Sequence, residues 1–307
     1  MKVWFISLFL ILFTMSSIVS FYAYIAYTLE SPKVPPLLSN PKKAAGLDYK
    51  EVEFPSSNAM RMIDGWYIPG LSKNTVILSH GYGANREEPW VPMYELAKEL
   101  HANRFNILMF DYAFARGAKV TGGILESKDL LGAIQYVKKR GDEQVYIWGF
   151  SMGAGTALQA ALHSTDINGM ILDSTFILDK DTMFFNMKQK LDILPRFPSV
   201  FLVNLMLPFI SGFNLQQVPS HTVKTTEYSI PLFLIHGQKD DKAPYQGIVN
   251  FFQTQKANPA SRLWLLPDGR HELIYNSSHK KEYIKRTMNF LFENVRKNQP
   301  KPKLIDA

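Results

Sequence analysis

Val145-Tyr146-Ile147-Trp148-Gly149-Phe150-Ser151-Met152-Gly153-Ala154-Gly155 decides how this chain is read. The first four residues form an apolar run of strand length, and Gly153 to Leu162 is a small-residue helical pattern. Between them Gly149-Phe150-Ser151-Met152-Gly153 matches G-x-S-x-G. As a bare pattern it is weak, because glycine and serine are common. Between a buried strand and a helix it predicts a sharp turn that lifts the Ser151 hydroxyl above the sheet edge. Such a turn strains the serine backbone, and a side chain at either flanking glycine would obstruct it. A serine that merely caps a helix is the bland alternative.

Outward from this turn, short apolar runs alternate with helical spacing. Strands are expected at Tyr49–Phe54, Met62–Ile68, Thr75–Ser79, Asn106–Phe110, Met170–Asp173, Pro231–Ile235 and Arg262–Leu266. Helices are expected at Trp90–His101, Lys128–Lys139, Met152–His163, Gly247–Thr254 and Glu282–Val295. The fold class is therefore α/β, a mostly parallel sheet with helices on both faces and leading antiparallel strands. Residues 176–229 break the rhythm with Phe, Leu, Met and four prolines, Pro195, Pro198, Pro208 and Pro219. Too long for an ordinary crossover, they predict a helical cap insertion over the site.

Three further loops fall at strand ends. His80-Gly81-Tyr82-Gly83 follows the Thr75 strand. Its Tyr82 N–H, with that of Met152, is the expected pair of oxyanion donors. His80 reads as a brace for that loop. Pro267-Asp268-Gly269-Arg270-His271 makes His271 the expected base, since in a Ser, Asp, His order the base comes last. The acid falls in His236-Gly237-Gln238-Lys239-Asp240-Asp241: Asp240 is preferred, Asp241 is expected to cap the helix near Pro244, and Asp173 is an outside candidate.

Together these pieces resemble the α/β-hydrolase superfamily, in particular bacterial membrane-anchored serine hydrolases related to Bem-type and serine-aminopeptidase-like proteins. Ser79-His80-Gly81-Tyr82-Gly83, Phe110-Asp111-Tyr112, the Ser151 turn, His236 to Asp240 and Gly269-Arg270-His271 carry the resemblance, which spans about residues 48–296. It implies Ser151, Asp240 and His271 as catalytic triad and Tyr82 and Met152 as oxyanion hole. Ala243 stands where the family has valine, and Ala113 to Gly117 lacks the usual Arg-Gly-x-Gly turn.

The expected activity is hydrolysis of carboxylic esters or thioesters, carboxylesterase-like, on a small-molecule acyl substrate. A serine peptidase acting on short or acylated peptides is the rival enzyme. A catalytically silent binding protein on the same fold is the rival of another class. With no cysteine among 307 residues, thiol nucleophiles and thiolate metal sites are excluded. Neither a metal nor an organic cofactor is expected. The net charge of +7 comes from scattered lysines and a basic tail with Arg296, Lys297, Lys301 and Lys303; no nucleic-acid partner is expected.

The N-terminal run has no charge between Lys2 and Glu30. As a helix it spans roughly 40 Å, more than the ~30 Å hydrocarbon core. Trp4 near one end and Tyr22, Tyr24 and Tyr27 near the other suit interfacial belts, and small residues for signal cleavage are poorly placed. The chain thus divides into a transmembrane anchor (1–30), a proline-rich spacer holding the domain off the bilayer (31–47), a hydrolase domain (48–297) and the basic tail (298–307). The expected location is the cell membrane, single-pass, with the catalytic domain outside the cytoplasm. Lys2 ahead of the anchor supports that orientation, and Lys33, Lys42 and Lys43 after it oppose it.

Overall fold

The computed structural model describes residues 2–255 and 258–298; the tail beyond Asn298 lies outside them. Eight strands form one sheet: β1 (Lys50–Pro55), β2 (Met62–Ile68), β3 (Asn74–Ser79), β4 (Asn106–Phe110), β5 (Gln144–Phe150), β6 (Ile167–Asp173), β7 (Leu232–Gly237) and β8 (Arg262–Leu266). Their order is β1-β2-β4-β3-β5-β6-β7-β8. The β1–β2 and β2–β4 pairs are antiparallel and all others parallel. Chain order reverses around β3, so β5, which feeds the Ser151 turn, lies at the centre of the sheet with every residue buried.

Alternation along the strands sorts side chains onto the two faces. Val145 and Ile147 face one core with Ile77 and Leu108; Tyr146, Trp148 and Phe150 face the other with Val76 and Met109. The helices follow in chain order: α1 (Lys2–Glu30), α2 (Pro41–Ala45), α3 (Met93–Ala102), α4 (Ile124–Lys139), α5 (Met152–Ala161), α6 (Lys180–Lys190), α7 (Arg196–Ile210), α8 (Ser220–Thr225), α9 (Tyr245–Gln253) and α10 (Lys280–Lys297). The first face is covered by α4, α5 and α9, the second by α3 and α10. This is the α/β-hydrolase fold.

Residues 176–229 form the expected helical insertion, α6 to α8. Asp179 starts α6 by accepting the Asp181 and Thr182 N–H groups at 2.9 and 2.8 Å. Pro195 precedes the first residue of α7, where no intrahelical N–H bond is lost, whereas Pro208 lies inside its last turn and removes one bond close to where the helix ends. Around Met183, Met187, Val203, Leu207 and Phe213 the insertion has its own small core, and Tyr22 and Ala26 of α1 belong to it.

That packing corrects the expected spacer. Residues 31–47 lie along the domain: the Leu38 and Ser39 N–H groups donate to Glu87 at 2.5 and 2.6 Å, and Asn85 Nδ2 donates to Pro35 O at 2.9 Å. Val120 N donates to Glu30 O at 2.9 Å. With these backbone groups satisfied by the domain, the segment cannot hold it at a distance from α1.

Candidate active site

Ser151 sits between β5 and α5 with φ 50° and ψ −116°, a conformation few non-glycine residues adopt. The strain is held from several sides. Ser151 N donates to Asp173 O at 2.9 Å, and Ser151 O accepts from Phe176 N at 3.0 Å. The flanking glycines are needed for close approach: a Cβ on Gly153 would lie 2.2 Å from Ser79 O, and one on Gly149 2.7 Å from Ala154 Cα.

The loop after β8 brings His271 over this turn. Its Nε2 is 2.7 Å from Ser151 Oγ and its Nδ1 is 2.7 Å from Asp240 Oδ2. Asp240 Oδ1 meanwhile accepts the Lys242 and Ala243 N–H groups, both at 2.8 Å, so its own loop fixes Oδ1 and leaves Oδ2 to His271. Burial opposes the charged imidazolium, but the hydrogen bond and charge of Asp240 outweigh it and hold the His271 pKa above its ordinary value. Burial likewise opposes the Asp240 carboxylate, and the His271 hydrogen bond and charge reverse the balance and lower its pKa. With Nδ1–H donating to Asp240, Nε2 is the acceptor for the Ser151 hydroxyl.

The alternatives fall elsewhere. Asp173 accepts from Tyr283 OH at 2.7 Å and from Ser174 Oγ at 2.9 Å, and it is Asp240 that bonds His271 Nδ1. Burial pushes its carboxyl up to about 6. Asp241 does not cap α9, whose first turn has no side-chain cap; it is exposed and pairs with Lys242. The turn chemistry expected of it belongs to Asp240.

His80 is fully buried, and burial lowers its pKa to about 4. Its Nε2 accepts Tyr112 N–H at 3.1 Å, so the proton is on Nδ1, which donates to Gly81 O at 3.0 Å. The loop expected to hold the oxyanion is thereby braced by a neutral histidine. Arg86 adds a second brace, reaching Asp111 Oδ2 at 2.9 Å while lying 4.7 Å from the Trp66 ring centre. Met152 opens α5, where first-turn N–H groups have no intrahelical acceptor. Tyr82 N–H makes no hydrogen bond among the described residues, while Tyr82 OH donates to Thr28 O of α1 at 2.9 Å.

Two glutamates were missed by sequence reading. Glu272, next to His271, and Glu88 are both buried, with φ of 57° and 39°. Both carboxyls lie within 3.4 Å of the point a Gly81 Cβ would occupy, and Gly81 N donates to Glu88 Oε2 at 2.6 Å. Burial, and for Glu272 also the nearby Glu88, pushes both pKa values up. The adjacency of Glu272 to His271 is the only signal the sequence offers; nothing marks Glu88 as its neighbour. His236 was also read only as part of a strand end. Its Nε2 lies 2.9 Å from Ala243 O and 3.3 Å from Asp240 Oδ2.

A cavity of about 490 Å³ lies at the opposite end of the sheet, lined by Lys73, Glu143 and Asn168 among others. None of the residues just described lines it. Sites in such sheets lie beyond the carboxyl ends of the strands, where Ser151, Asp240 and His271 meet.

A central nucleophile-type turn, with acid and histidine following later strands, defines the class of α/β hydrolases. Comparison with known proteins agrees. The model of the alpha/beta hydrolase fold matches residues 74–213. The uncharacterized protein YfhR of Escherichia coli O157:H7 is 30% identical over 258 residues, covering 79% of this chain and 80% of that one. Lysophosphatidylserine lipase ABHD12 of Mus musculus is 25% identical over 243 residues, 72% of this chain and 57% of that protein. Among solved structures, the Pyrococcus furiosus esterase Pf2001 superposes with a TM-score of 0.69 at 26% identity, covering 85% of this chain and 98% of that one. The chain belongs to the α/β-hydrolase family, and these relatives support hydrolase activity.

Proposed function

We propose that the protein is a serine hydrolase that cleaves carboxylic esters or thioesters through an acyl-enzyme. The observation that carries this reading is the unbroken chain from Ser151 Oγ through both His271 nitrogens to Asp240, 2.7 Å at each step, on a strained turn. Ser151 Oγ attacks the acyl carbon while His271 Nε2 takes its proton. The oxyanion forms against the Tyr82 and Met152 N–H groups, at the positive end of α5. Collapse breaks the bond to the leaving group, which receives the proton from His271. Water then attacks the acyl carbon, giving one proton to His271 Nε2; collapse breaks the bond to Ser151 Oγ, which takes that proton back from His271, and the carboxylic acid leaves.

Asp240 keeps Nδ1 protonated and stabilises the imidazolium without taking the proton. The Pf2001 esterase and the ABHD12 lipases support acyl-ester chemistry over peptide cleavage. For localisation we propose a membrane anchor. The helix Lys2–Glu30 is long and apolar enough to cross a membrane. Cleaving it as a signal sequence would strip Tyr22 and Ala26 from the cap core. The orientation with the domain outside the cytoplasm rests on the charges around α1 alone.

The test is labelling of the full chain by a fluorophosphonate probe alongside hydrolysis of p-nitrophenyl esters. Labelling at Ser151, lost in Ser151→Ala together with ester hydrolysis, is expected. A wild-type protein that is folded, unlabelled and inactive would instead be a binding protein on this fold.

A further inference from the structure

The exposed apolar surface of this protein is concentrated on two helices that touch. In α1 every residue from 2 to 21 is exposed. Those residues cover about 30 Å of helix, the thickness of a bilayer hydrocarbon core. From Tyr22 onward α1 enters the domain: Tyr22, Ala26 and Glu30, one to a turn, are buried, and Tyr22 OH lies 2.8 Å from Ser199 Oγ of α7. The cap helix α7 is therefore held at the level where the span ends.

α7 is two-sided. Ser199, Val200, Val203 and Leu207 are buried. Phe197, Phe201, Leu205 and Phe209 are 81, 56, 46 and 83% exposed. A spacing of four residues places these side chains on one ridge. Single exposed apolar residues are ordinary, but a continuous apolar ridge of three phenylalanines and a leucine on a soluble surface is not. No acidic residue lies within α7; at its N-terminal side Lys188 pairs with Asp192 and Arg196 with Asp181, so that end is close to neutral. The end of α1 also reaches the site: Thr28 O accepts from Tyr82 OH, and a Gly83 Cβ would lie 3.5 Å from Pro32 Cβ.

We propose that α7 rests in the bilayer interface beside α1, with Phe197, Phe201, Leu205 and Phe209 among the acyl chains. The occupant of the ridge is the same bilayer that α1 spans, because the ridge continues the bare surface of α1 at its membrane edge. The Tyr82 loop then faces the lipid layer. A single-chain acyl lipid passing from the bilayer between α1, α7 and that loop reaches Ser151 without crossing bulk water. This second part rests on the serine-hydrolase reading; the docking itself does not.

The absence of cysteine makes the docking testable, since one introduced thiol is labelled uniquely. The full chain carrying Phe209→Cys, with a nitroxide attached, is reconstituted into vesicles of phosphatidylcholine with some phosphatidylglycerol. The expected result is greater collision with dioxygen than with a water-soluble nickel chelate, and the reverse for Lys139→Cys at the exposed end of α4. Nickel preference at 209 equal to that at 139 overturns docking. Protection from both agents, as burial against a second copy would give, also overturns it.

The route is tested with Phe197→Ser, Phe201→Ser and Phe209→Ser combined. Hydrolysis of a water-soluble short-chain ester should stay within about twofold, while hydrolysis of a monoacyl lipid in vesicles falls on the order of tenfold. Equal effects on the two substrates, or none on either, overturn the route. If the wild type cleaves neither substrate, the serine-hydrolase reading and the route fall together, and the nitroxide result still decides docking.

Discussion

The Ser151 site and the α1–α7 seam meet at Tyr82, yet they are built in opposite ways. At the site, the Ser151 backbone, the Asp240 carboxylate and the His80 ring are each fixed by partners within the domain. Along the seam, the large apolar side chains of residues 2–21 and of the α7 ridge have no protein neighbours to bury them. A site whose geometry is over-determined can hold strain and do chemistry in any surroundings. A surface left bare has a geometry set in part by what covers it. The contrast predicts that changes at the site alter turnover of every substrate with little loss of stability, and that changes along the seam leave turnover of a water-soluble ester unchanged.

The sharpest test of the first half is Ser151→Ala. Turnover should fall on the order of 10⁶-fold, because nucleophile, base and acid act as a unit. The melting temperature should hold or rise, since the smaller side chain leaves a strained position no worse packed. A variant that unfolds would show the site to be structural, which the comparison denies.

Next in size is Asp240→Asn, at roughly 10⁴-fold in kcat. The new carbonyl can still accept the Lys242 and Ala243 N–H groups, which turns the amide nitrogen toward His271 Nδ1. Nδ1 must then accept, the proton moves to Nε2, and the imidazole can no longer take the Ser151 proton. Asp241→Asn, on an exposed side chain paired with Lys242, should change kcat by no more than about twofold. Similar losses in the two variants would show that this hydrogen-bond network does not set the histidine tautomer.

A pH profile follows from the same network. The base must be neutral to act, and Asp240 raises the His271 pKa. Activity should therefore fall on acidification with a midpoint above the ordinary histidine value of about 6.5, dropping about tenfold per unit below it. A kcat/KM midpoint below about 6 would mean that burial outweighs Asp240.

The two halves also differ in how legible they were. Ser151, His271 and Asp240 could be read because each follows an apolar strand in a loop of turn-forming residues, so chain order and sheet edge were visible together. Strand limits were good to a residue or two for most strands. The seam was not legible, because α7 is apolar nearly all round and periodicity is silent on which side faces the domain. Leu205 and Phe209 point outward, while Phe184, Leu202 and Met206 pack on the cap core, a division the local sequence does not mark. Tyr22 was expected at a lipid interface, and its partner Ser199 is 177 residues away. Pairings at that separation leave no local trace.

The Glu88–Glu272 pair lies between the two halves, being part of the site's support and invisible in sequence. Both carboxyls have raised pKa values, from burial first and, for Glu272, from Glu88 next. A raised carboxyl pKa favours the protonated form in the folded state. Its contribution to stability is full below the unfolded value, about 4.3, and is lost as pH rises through the folded value. These two carboxyls therefore contribute a fall in stability as pH rises from acid toward alkaline, against which the lowered pKa values of His80 and Asp240 act at the acid end. Asp173, with its carboxyl pushed up by burial to about 6, adds to the same decline. Glu272→Gln, neutral and of similar shape, should flatten the decline by its own share, measured as the difference between the two melting curves at pH 5 and pH 9. Parallel curves would show that Glu272 titrates alike in the folded and unfolded chains.

The smallest expected effect probes the seam where it is best defined. Tyr22 OH and Ser199 Oγ are 2.8 Å apart, and Ser199 is fully buried, so this bond joins α1 to the cap in a place water does not reach. Tyr22→Phe keeps the ring and removes the bond, at a cost of about 1 kcal/mol, or about 2 °C in melting temperature for a domain of this size. Ser199→Ala should cost a similar amount by leaving the tyrosine hydroxyl unpaired. If the two groups serve only each other, the double variant should be little worse than either single one, because removing both partners leaves nothing unsatisfied. Losses that add would mean that each hydroxyl has another partner when the protein is in a bilayer or micelle, and that α1 is seated on α7 by apolar contact alone. Ester hydrolysis should be unchanged in all three variants, since neither hydroxyl belongs to the hydrogen-bond chain at Ser151. A fall in turnover that tracked the loss of this bond would instead tie the seating of α1 to the Tyr82 loop through Thr28, and the site would then be less self-contained than its own contacts indicate.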